Sequence, residues 1–235
     1  MTERDDRRAA LVALALGFVV CGAFAALAAQ VYDAVSEADG IAVLDQPALN
    51  AALSLRTHAL TGVVARFTEL GGTVGMTVIA TVAAVLLSLR RRSLEPALVA
   101  AVTAVGSVGL TVVGKSVVAR SRPPFIDAVP PFESSFSFPS GHSLNSMALV
   151  GVLTYLALRQ LARWWSRLLV VAVGSLFVVA IGLSRVYLGH HWLTDVLGAW
   201  MIALAWLTVV LTAHHLYRGS GRGGRRVGLR GRDTM

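Results

Sequence analysis

The stretch Ala97–Val118, ALVAAVTAVGSVGLTVVGKSVV, contains a single charged residue, Lys115, among valines, alanines and glycines. A helix needs about 20 mostly apolar residues, each adding about 1.5 Å, to cross the roughly 30 Å hydrocarbon core of a bilayer. This stretch meets that requirement. It therefore predicts a transmembrane helix.

Five further stretches have the same character. Of the 235 residues, 55% are hydrophobic and only 14% are charged, and the mean hydropathy is +0.67. We expect an all-α fold, a six-transmembrane helical bundle over residues 1–217, and not a soluble domain. The predicted spans are Ala9–Ala29, Thr73–Leu89, Ala97–Val118, Ser143–Leu158, Leu168–Leu183 and Val196–Ala213.

The first span has a second interpretation, a cleaved signal peptide, because Ala26-Leu27-Ala28 resembles a small-residue cleavage site. Its apolar run is longer than the ~7–15 residues of a signal peptide. We therefore expect the span to be retained.

The net charge of +8 is concentrated on one side of the predicted spans. With the N-terminus in the cytoplasm, most of the 21 basic residues fall in the N-terminal segment, the inner connections and the C-terminal tail. This positive-inside distribution predicts a multi-pass protein of the cell membrane with both termini in the cytoplasm. The tail, residues 218–235, is rich in arginine and glycine and is predicted to be disordered, with attraction to anionic lipid headgroups. Because the basic residues follow the membrane topology, we do not expect nucleic acid as a partner.

Two connections on the predicted outer side are long. In the first, about Gln30 to Gly72, apolar residues recur at helical spacing, which predicts a helix lying in the membrane interface or packed over the bundle. These residues are Leu49, Leu53, Leu60, Val64 and Phe67. The second connection, Arg120–His142, holds most of the chain's 7 prolines and half of its 8 phenylalanines. Proline stops the flanking helices from continuing into it, and the phenyl rings either anchor the loop at the bilayer or guide an acyl or prenyl chain.

Cations near the outer ends of the spans are the first sign of a functional site, because charge near the hydrocarbon is costly. Lys115 is the only lysine in the chain. Arg122 follows it by two helical turns and shares its face if the helix continues. Arg120 and Arg185 lie at outer span ends as well.

Two predicted helix starts lie at the same membrane face. His191 and Asp195 are four residues apart, on one side of a helix. Ser140 is a natural N-cap, and the free N–H groups of the turn that follows, at Gly141 and His142, form an anion site with the helix dipole. Each feature alone has a structural explanation, such as an ordinary cap or a hydrogen-bonded His–Asp pair. Their convergence with several cations predicts a phosphate-transfer centre at the extracytoplasmic face.

In their order along the chain, these residues resemble the signature of the type 2 phosphatidic acid phosphatase superfamily. The three parts are Lys115-x6-Arg122-Pro123, Pro139-Ser140-Gly141-His142 and Ser184-Arg185-x5-His191-x3-Asp195. Every signature position is filled between residues 115 and 195, and the six-span layout is similar to the bacterial membrane lipid phosphatase branch. His190 is adjacent to the nucleophile position, but only His191 has an aspartate four positions later.

The resemblance implies a role for each signature residue. His191 attacks phosphorus and forms a phosphohistidine, Asp195 orients its imidazole, and His142 acts as acid and base. The residues implied to bind the phosphate are Lys115, Arg122, Ser140, Gly141 and Arg185. Arg120 is expected to be an auxiliary for a second phosphate. No metal and no cofactor are expected.

The resemblance therefore implies a membrane phosphatase that acts on a lipid phosphate or diphosphate. Undecaprenyl diphosphate, phosphatidylglycerol phosphate and phosphatidic acid are the expected substrates. One alternative is a lipid phosphotransferase that passes the phosphoryl group to another lipid or sugar. A less favoured one is a non-catalytic lipid-binding or transport protein. The sequence predicts no oligomeric state.

Overall fold

In a computed structural model of the chain, residues 3–230 are described, and side chains are described for residues 7–219. Within this range the structure is helical and has no strand. The helices are α1 (Glu3–Glu37), α2 (Asp45–Ser54), α3 (His58–Thr68), α4 (Thr73–Arg91), α5 (Glu95–Val118), α6 (Gly141–Leu158), α7 (Trp164–Tyr187) and α8 (Leu193–Arg230). Short 3₁₀ turns occupy Gly40–Leu44, Glu69–Gly71 and Phe125–Asp127.

Six of these helices, α1 and α4 to α8, are long and apolar enough to cross a membrane. The predicted all-α, six-span fold is confirmed, and the chain is a multi-pass membrane protein. The helices extend beyond the apolar runs from which they are predicted. α7, for example, begins at Trp164 and ends at Tyr187, because amphipathic aromatic rings suit the membrane–water interface.

α6 is the centre of the bundle and packs against α4, α5, α7 and α8. Its Leu144, Ala148 and Val152 are completely buried. Gly151 allows α8 to approach closely, since a Cβ there would lie 2.5 Å from a methyl carbon of Leu207. The close packing of these two helices fixes the relative positions of their first turns, where His142 and Asp195 lie.

The first outer connection contains two short helices, not one continuous helix. α2 ends at Ser54, and α3 starts after Thr57, whose hydroxyl oxygen accepts the Leu60 backbone N–H at 3.2 Å. Between them, Arg56 donates to the Tyr187 carbonyl at 2.6 and 2.9 Å. A new N-cap and an arginine anchored on α7 thus interrupt the helical spacing. Both short helices pack on α7, so the segment lies over the bundle.

The two ends of the bundle differ in their residues. At one end, which we call the site end, α6 and α8 begin, and the Ser140 backbone N–H donates to the Asp195 carbonyl at 3.2 Å. At the other, Arg91 donates to the Arg159 carbonyl at 3.4 Å and Arg218 contacts Glu95 at 2.5 Å. We call this second region the basic end. It brings together segments that the charge distribution predicts to lie on one side of the membrane.

α8 continues as a helix to Arg230 and so overlaps the predicted tail, residues 218–235. The domain boundary after residue 217 and the disorder of the tail stay predictions. Residues 231–235 lie outside the described residues.

Candidate active site

His191 lies in the turn between α7 and α8, and Asp195 lies in the first turn of α8. Their side chains are 1% and 0% exposed. His191 Nδ1 is 3.3 Å from Asp195 Oδ2, an oxygen that also accepts the Trp192 backbone N–H at 2.9 Å and the Ser137 hydroxyl. With Nδ1–H directed at the carboxylate, the lone pair of the ring lies on Nε2. This is the tautomer that a nucleophilic imidazole requires.

The neighbouring His190 is oriented differently. Its Nε2 donates to the Val129 carbonyl at 2.6 Å. This bond attaches the connection between α5 and α6, residues 119–140, which we call the outer loop, to the α7–α8 turn. Asp195 therefore pairs with His191, in agreement with the spacing in the sequence.

Nε2 of His191 faces a cation and an anion. NH1 of Arg122 lies 3.2 Å from it and donates to the His190 carbonyl at 2.6 Å. A carboxylate oxygen of Glu133 lies 4.0 Å from the same nitrogen. Burial lowers the pKa of His191 to about 4; the hydrogen bond with Asp195 opposes this shift, and the charge of Arg122 adds to it. The imidazole is therefore neutral at pH 7 and keeps its lone pair.

Glu133, on the outer loop, is the anion at the centre of the site. Its Oε2 accepts from Arg122 at 2.6 Å, and its Oε1 accepts from Arg185, whose side chain is only 2% exposed. Burial would raise the pKa of Glu133, but the neighbouring groups lower it to about 2. In order of effect these groups are Arg185, His191, Arg122 and His142. The pocket thus binds a carboxylate with two guanidinium groups, as an oxyanion site does.

Lys115 and Arg122 do not share a helix face, because α5 ends before Ala119, whose φ of 47° is left-handed. Both cations nevertheless bind the same piece of the outer loop. Lys115 Nζ donates to the Ser135 hydroxyl at 3.1 Å and to the Phe136 carbonyl. NH2 of Arg122 donates to the same two groups at 3.1 and 3.3 Å. The loop, and not a continuous helix, brings these cations together.

Ser140 is the N-cap of α6, as predicted. Its buried Oγ accepts the Ser143 backbone N–H at 3.4 Å and the Ser143 hydroxyl at 2.9 Å. The Ser140 side chain is therefore used by the helix, which leaves the backbone N–H groups around Gly141 as the available anion donors. His142 follows, with Nε2 beside Gly72, where a Cβ would lie 3.2 Å from the ring nitrogen. Glycine at position 72 leaves room for this imidazole.

Arg120 is bound by the protein's own carboxylates. Its NH2 donates to Asp45 at 2.6 Å, and its NH1 donates to Asp195 at 2.6 Å and to the Thr194 hydroxyl at 2.8 Å. Both terminal nitrogens are used, so this geometry does not support the expected auxiliary role toward a second phosphate.

Four side chains join the site without having been predicted from the sequence, namely Asp45, Glu133, Ser137 and Thr194. For Glu133 the available signal is charge balance, because the loop begins with Arg120 and Arg122, which need partners near a membrane, and its two acids, Asp127 and Glu133, follow them. Asp45 has no comparable signal. It is one of several acids in the first outer connection, and only the fold brings it to α8.

The charges of the pocket favour a phosphate over a metal ion. Three cationic side chains converge on the outer loop, those of Lys115, Arg122 and Arg185. Hard metal ions prefer several oxygen ligands, and among residues 7–219, whose side chains are described, no group of three or more His, Cys, Asp and Glu residues could hold a metal.

Several known proteins are similar to this chain in sequence. The sequence model described as PAP2 superfamily matches residues 96–218. Phosphatidylglycerophosphatase B of Bacillus subtilis strain 168 is 41% identical over 91 residues, covering 38% of this chain and 44% of that protein. An undecaprenyl-diphosphatase of Sulfolobus acidocaldarius is 30% identical over 127 residues, covering 52% of this chain and 57% of that protein. The chain thus spans about half the length of the curated relatives it matches.

Two solved structures have the same fold. The crystal structure of a transmembrane PAP2-type phosphatidylglycerolphosphate phosphatase from Bacillus subtilis matches with a TM-score of 0.74 and 27% identity. The match covers 81% of this chain and 94% of that one. LpxE of Aquifex aeolicus matches with a TM-score of 0.55 and 20% identity over 72% of this chain and 94% of its own, a likeness of fold alone. The family match covers more than half of the sequence, includes all three signature parts and agrees with the fold, and the chain therefore belongs to the PAP2 superfamily.

Proposed function

We propose that this protein is a lipid phosphatase that hydrolyses a phosphate ester or anhydride through a phosphohistidine on His191. The observation that carries the proposal is the position of Glu133. Its carboxylate is bound by Arg122 and Arg185, with an oxygen 4.0 Å from His191 Nε2. A phosphate in its place would have its oxygens on the two arginines and its phosphorus within reach of the nucleophile.

In the first step, the substrate phosphate displaces Glu133 and Nε2 of His191 attacks phosphorus. A P–N bond forms as the P–O bond to the lipid breaks, and His142 gives its proton to the leaving oxygen. Asp195 accepts the Nδ1–H throughout and stabilises the positive charge that the imidazole acquires.

In the second step, water attacks the phosphohistidine. His142, now neutral, takes a proton from the water, the P–N bond breaks, and the electron pair of that bond returns to His191. Inorganic phosphate leaves, and Glu133 can return to the arginines. The cycle balances without a metal or a cofactor.

The transition state carries charge on the equatorial phosphate oxygens, and fixed cations stabilise it most effectively where water is excluded. Arg122, Arg185 and Lys115 supply these cations. The N–H groups in the first turn of α6, at Gly141 and His142, supply neutral donors, while the Ser140 N–H is used by the Asp195 carbonyl. The arginines offer planar, bidentate donors, while the single lysine is a compact point charge.

The substrate is proposed to be a membrane lipid with a terminal phosphate. A cavity of about 170 Å³ beside Glu133 is lined by Phe125, Phe132 and His190, and the two phenyl rings lie 4.0 Å apart. Apolar rings next to a phosphate pocket suit the first groups of a lipid chain. The activities named for the relatives make phosphatidylglycerol phosphate and undecaprenyl diphosphate the first substrates to test.

The test is phosphate release by the purified protein in EDTA from phosphatidylglycerol phosphate, undecaprenyl diphosphate, phosphatidic acid and diacylglycerol pyrophosphate. We expect release from at least one lipid, together with an acid-labile phosphoryl label that is absent from His191→Ala. No release from any of the four, or release that stops in EDTA, would contradict the proposal. Label that passes to an added lipid or sugar in preference to water would identify a phosphotransferase.

We further propose that the site end faces the outside of the cell, because the basic end carries the arginine excess that remains in the cytoplasm. Ile126 in the outer loop is 90% exposed, and Ser93 at the basic end is also exposed. In a Cys21→Ala background, Ile126→Cys should react with a membrane-impermeant thiol reagent in intact cells, and Ser93→Cys should react only after lysis. The reverse pattern would overturn this orientation.

A further inference from the structure

Asp45 is a buried carboxylate far from the signature in sequence. It is the first residue of α2, it is 4% exposed, and it lies outside residues 96–218, which match the family. Its Oδ1 accepts the Thr194 backbone N–H at 2.8 Å, and its Oδ2 accepts the Thr194 hydroxyl at 2.6 Å. A carboxylate from one helix therefore caps the first turn of another, α8, where free N–H groups and the helix dipole favour negative charge.

The same carboxylate holds Arg120. Oδ2 of Asp45 accepts NH2 of Arg120 at 2.6 Å, while NH1 of Arg120 donates to Asp195 Oδ1 at 2.6 Å. The guanidinium is planar and presents its donors in a fixed fork, so that anchoring NH2 also fixes the direction of NH1. Arg120 follows the left-handed end of α5 at Ala119 and has no helix of its own to hold it.

The two carboxylate oxygens of Asp195 therefore bind different partners. Its Oδ1 is occupied by Arg120, and its Oδ2 remains for the Ser137 hydroxyl, the Trp192 N–H and His191 Nδ1. If Arg120 lost its second anchor, it could shift toward either oxygen of Asp195. The orientation of Oδ2 toward the imidazole would then no longer be fixed.

From this geometry we infer that Asp45 is a positioning residue for the nucleophile, acting on Asp195 and His191 through Arg120, which the Thr194 hydroxyl also holds. The inference rests on the proposed role of His191 and adds to it a residue of the first outer connection. It also assigns a role to α2, which lies over the bundle and places the Asp45 carboxylate at the start of α8.

The first test is Asp45→Asn, which keeps the size of the side chain and an oxygen for Thr194 but turns an NH₂ group toward Arg120. Because Asp45 is not in contact with the phosphate pocket, we expect kcat to fall at least about tenfold and KM to stay within about twofold of the parent value. Asp39→Asn is the matched control, since Asp39 is exposed and its side chain makes no capping hydrogen bond. It should behave as the parent does.

The second test is a double-mutant cycle with Arg120→Gln. If Asp45 acts through Arg120, adding Asp45→Asn to Arg120→Gln should reduce kcat by less than about twofold more, because the two residues share one path. Parent-like kcat in Asp45→Asn, or losses that multiply in the double variant, would overturn the inference. If Asp45→Asn does not fold, Thr194→Val takes its place in the cycle with Arg120→Gln, with a several-fold loss of kcat at unchanged KM expected and parent-like turnover counting against the inference.

An NMR measurement tests this inference independently of the proposed function. The Nδ1–H proton of His191 should give a downfield NMR signal that is lost in His191→Gln and moves upfield in Asp45→Asn, while Asp39→Asn leaves it in place. This signal does not require turnover. An inactive parent in which Asp45→Asn still moves the signal would refute the phosphatase proposal alone, and an active parent with an unmoved signal would refute the positioning role alone.

Discussion

The clusters around Glu133 and Glu95 lie at opposite ends of the bundle and are built from the same residue types, a glutamate with arginines and a histidine. At the basic end every partner of Glu95 lies on a spanning helix. His214 uses both ring nitrogens, with Nε2 2.7 Å from Glu95 and Nδ1 3.1 Å from the Tyr155 hydroxyl. Its imidazole is saturated, and the cluster ties α5, α6 and α8 together.

At the site end the glutamate lies on a loop, and so does Arg122, the hydrogen-bond partner of the histidine Nε2. Nδ1 of His191 faces Asp195, while Nε2 has Arg122 at 3.2 Å and a Glu133 oxygen at 4.0 Å. A substrate phosphate can replace the carboxylate, because loop residues move more readily than helix residues packed in a core.

Residue types alone therefore do not distinguish the candidate catalytic cluster from a structural one. What differs is whether the partners of the histidine lie on a loop or on packed helices, and whether the bound anion can leave. Both properties come from the position of each residue in the fold, on a loop or on a packed helix.

Removing each histidine gives the largest expected contrast. In the proposed mechanism His191→Ala removes the nucleophile, and turnover should fall at least about 10³-fold. His214→Ala removes a structural hydrogen-bonding group, and turnover per folded protein should stay within about threefold. Phosphate release is measured for protein that elutes as a single species in detergent. A His191→Ala variant within tenfold of the parent, or one no worse than His214→Ala, would remove the basis of the comparison.

The arginines give the next largest contrast. Arg185→Gln should lower kcat/KM about 100-fold, because a single buried donor to a developing oxyanion contributes roughly 3 kcal/mol to the transition state. Arg218, with a 26% exposed side chain, makes a partly solvated ion pair with Glu95 at 2.5 Å. Arg218→Gln should change stability by at most about 1 kcal/mol and leave kcat/KM unchanged. Equal losses in the two variants would contradict the distinction between the clusters.

The spanning helices could be predicted from the sequence because each carries its own apolar run. The ends of these helices were predicted less accurately, because interfacial residues such as Trp164 and Tyr187 extend α7 beyond its apolar run. The break between α2 and α3 depends on the capping oxygen of Thr57 and on the bond from Arg56 to α7, and the second of these is a tertiary contact.

The residues of the site likewise divide into those that local spacing predicts and those that only tertiary contacts bring into place. The His191–Asp195 pair and the Ser140 cap were predicted from local spacing, and the structure has both, although His191 lies in the turn before α8 and not on the helix. The roles of Glu133 and Asp45 depend on contacts between distant segments, for which a single sequence has no pattern. Arg120 shows this most clearly: as a cation at a span end it suggests a phosphate ligand, yet its partners are two carboxylates that only the fold brings together.

Replacing Glu133 should have a smaller effect than the substitutions above, and it should strengthen phosphate binding where those substitutions weaken turnover. Glu133→Gln removes the anion that competes with substrate for Arg122 and Arg185, so inorganic phosphate should inhibit about fivefold more tightly, because the binding-competent fraction of the enzyme rises. Glu95→Gln should leave phosphate inhibition unchanged and lower only thermal stability. Inhibition constants are measured at pH 7, where a Glu133 pKa of about 2 keeps its carboxylate fully charged. Weaker phosphate inhibition in Glu133→Gln would show that Glu133 assists the substrate and does not compete with it.

The smallest effect concerns the protonation of His191 itself. Burial lowers the pKa of His191 to about 4, and the hydrogen bond with Asp195 offsets only part of this shift. An unperturbed histidine, with a pKa of about 6.5, would be roughly 90% protonated at pH 5.5. Since a lowered pKa favours the neutral form, His191 should keep its lone pair down to pH 5 and lose it only as the pH falls through about 4.

The C2–H resonance of His191, identified by its loss in His191→Gln, should therefore show no titration step between pH 8 and pH 5. In Arg122→Gln the step should move to higher pH, because a cation that opposes protonation has been removed. A step near pH 6.5 in the parent would mean that the nucleophile is solvated, and the contrast between the two clusters would then rest on the anion alone.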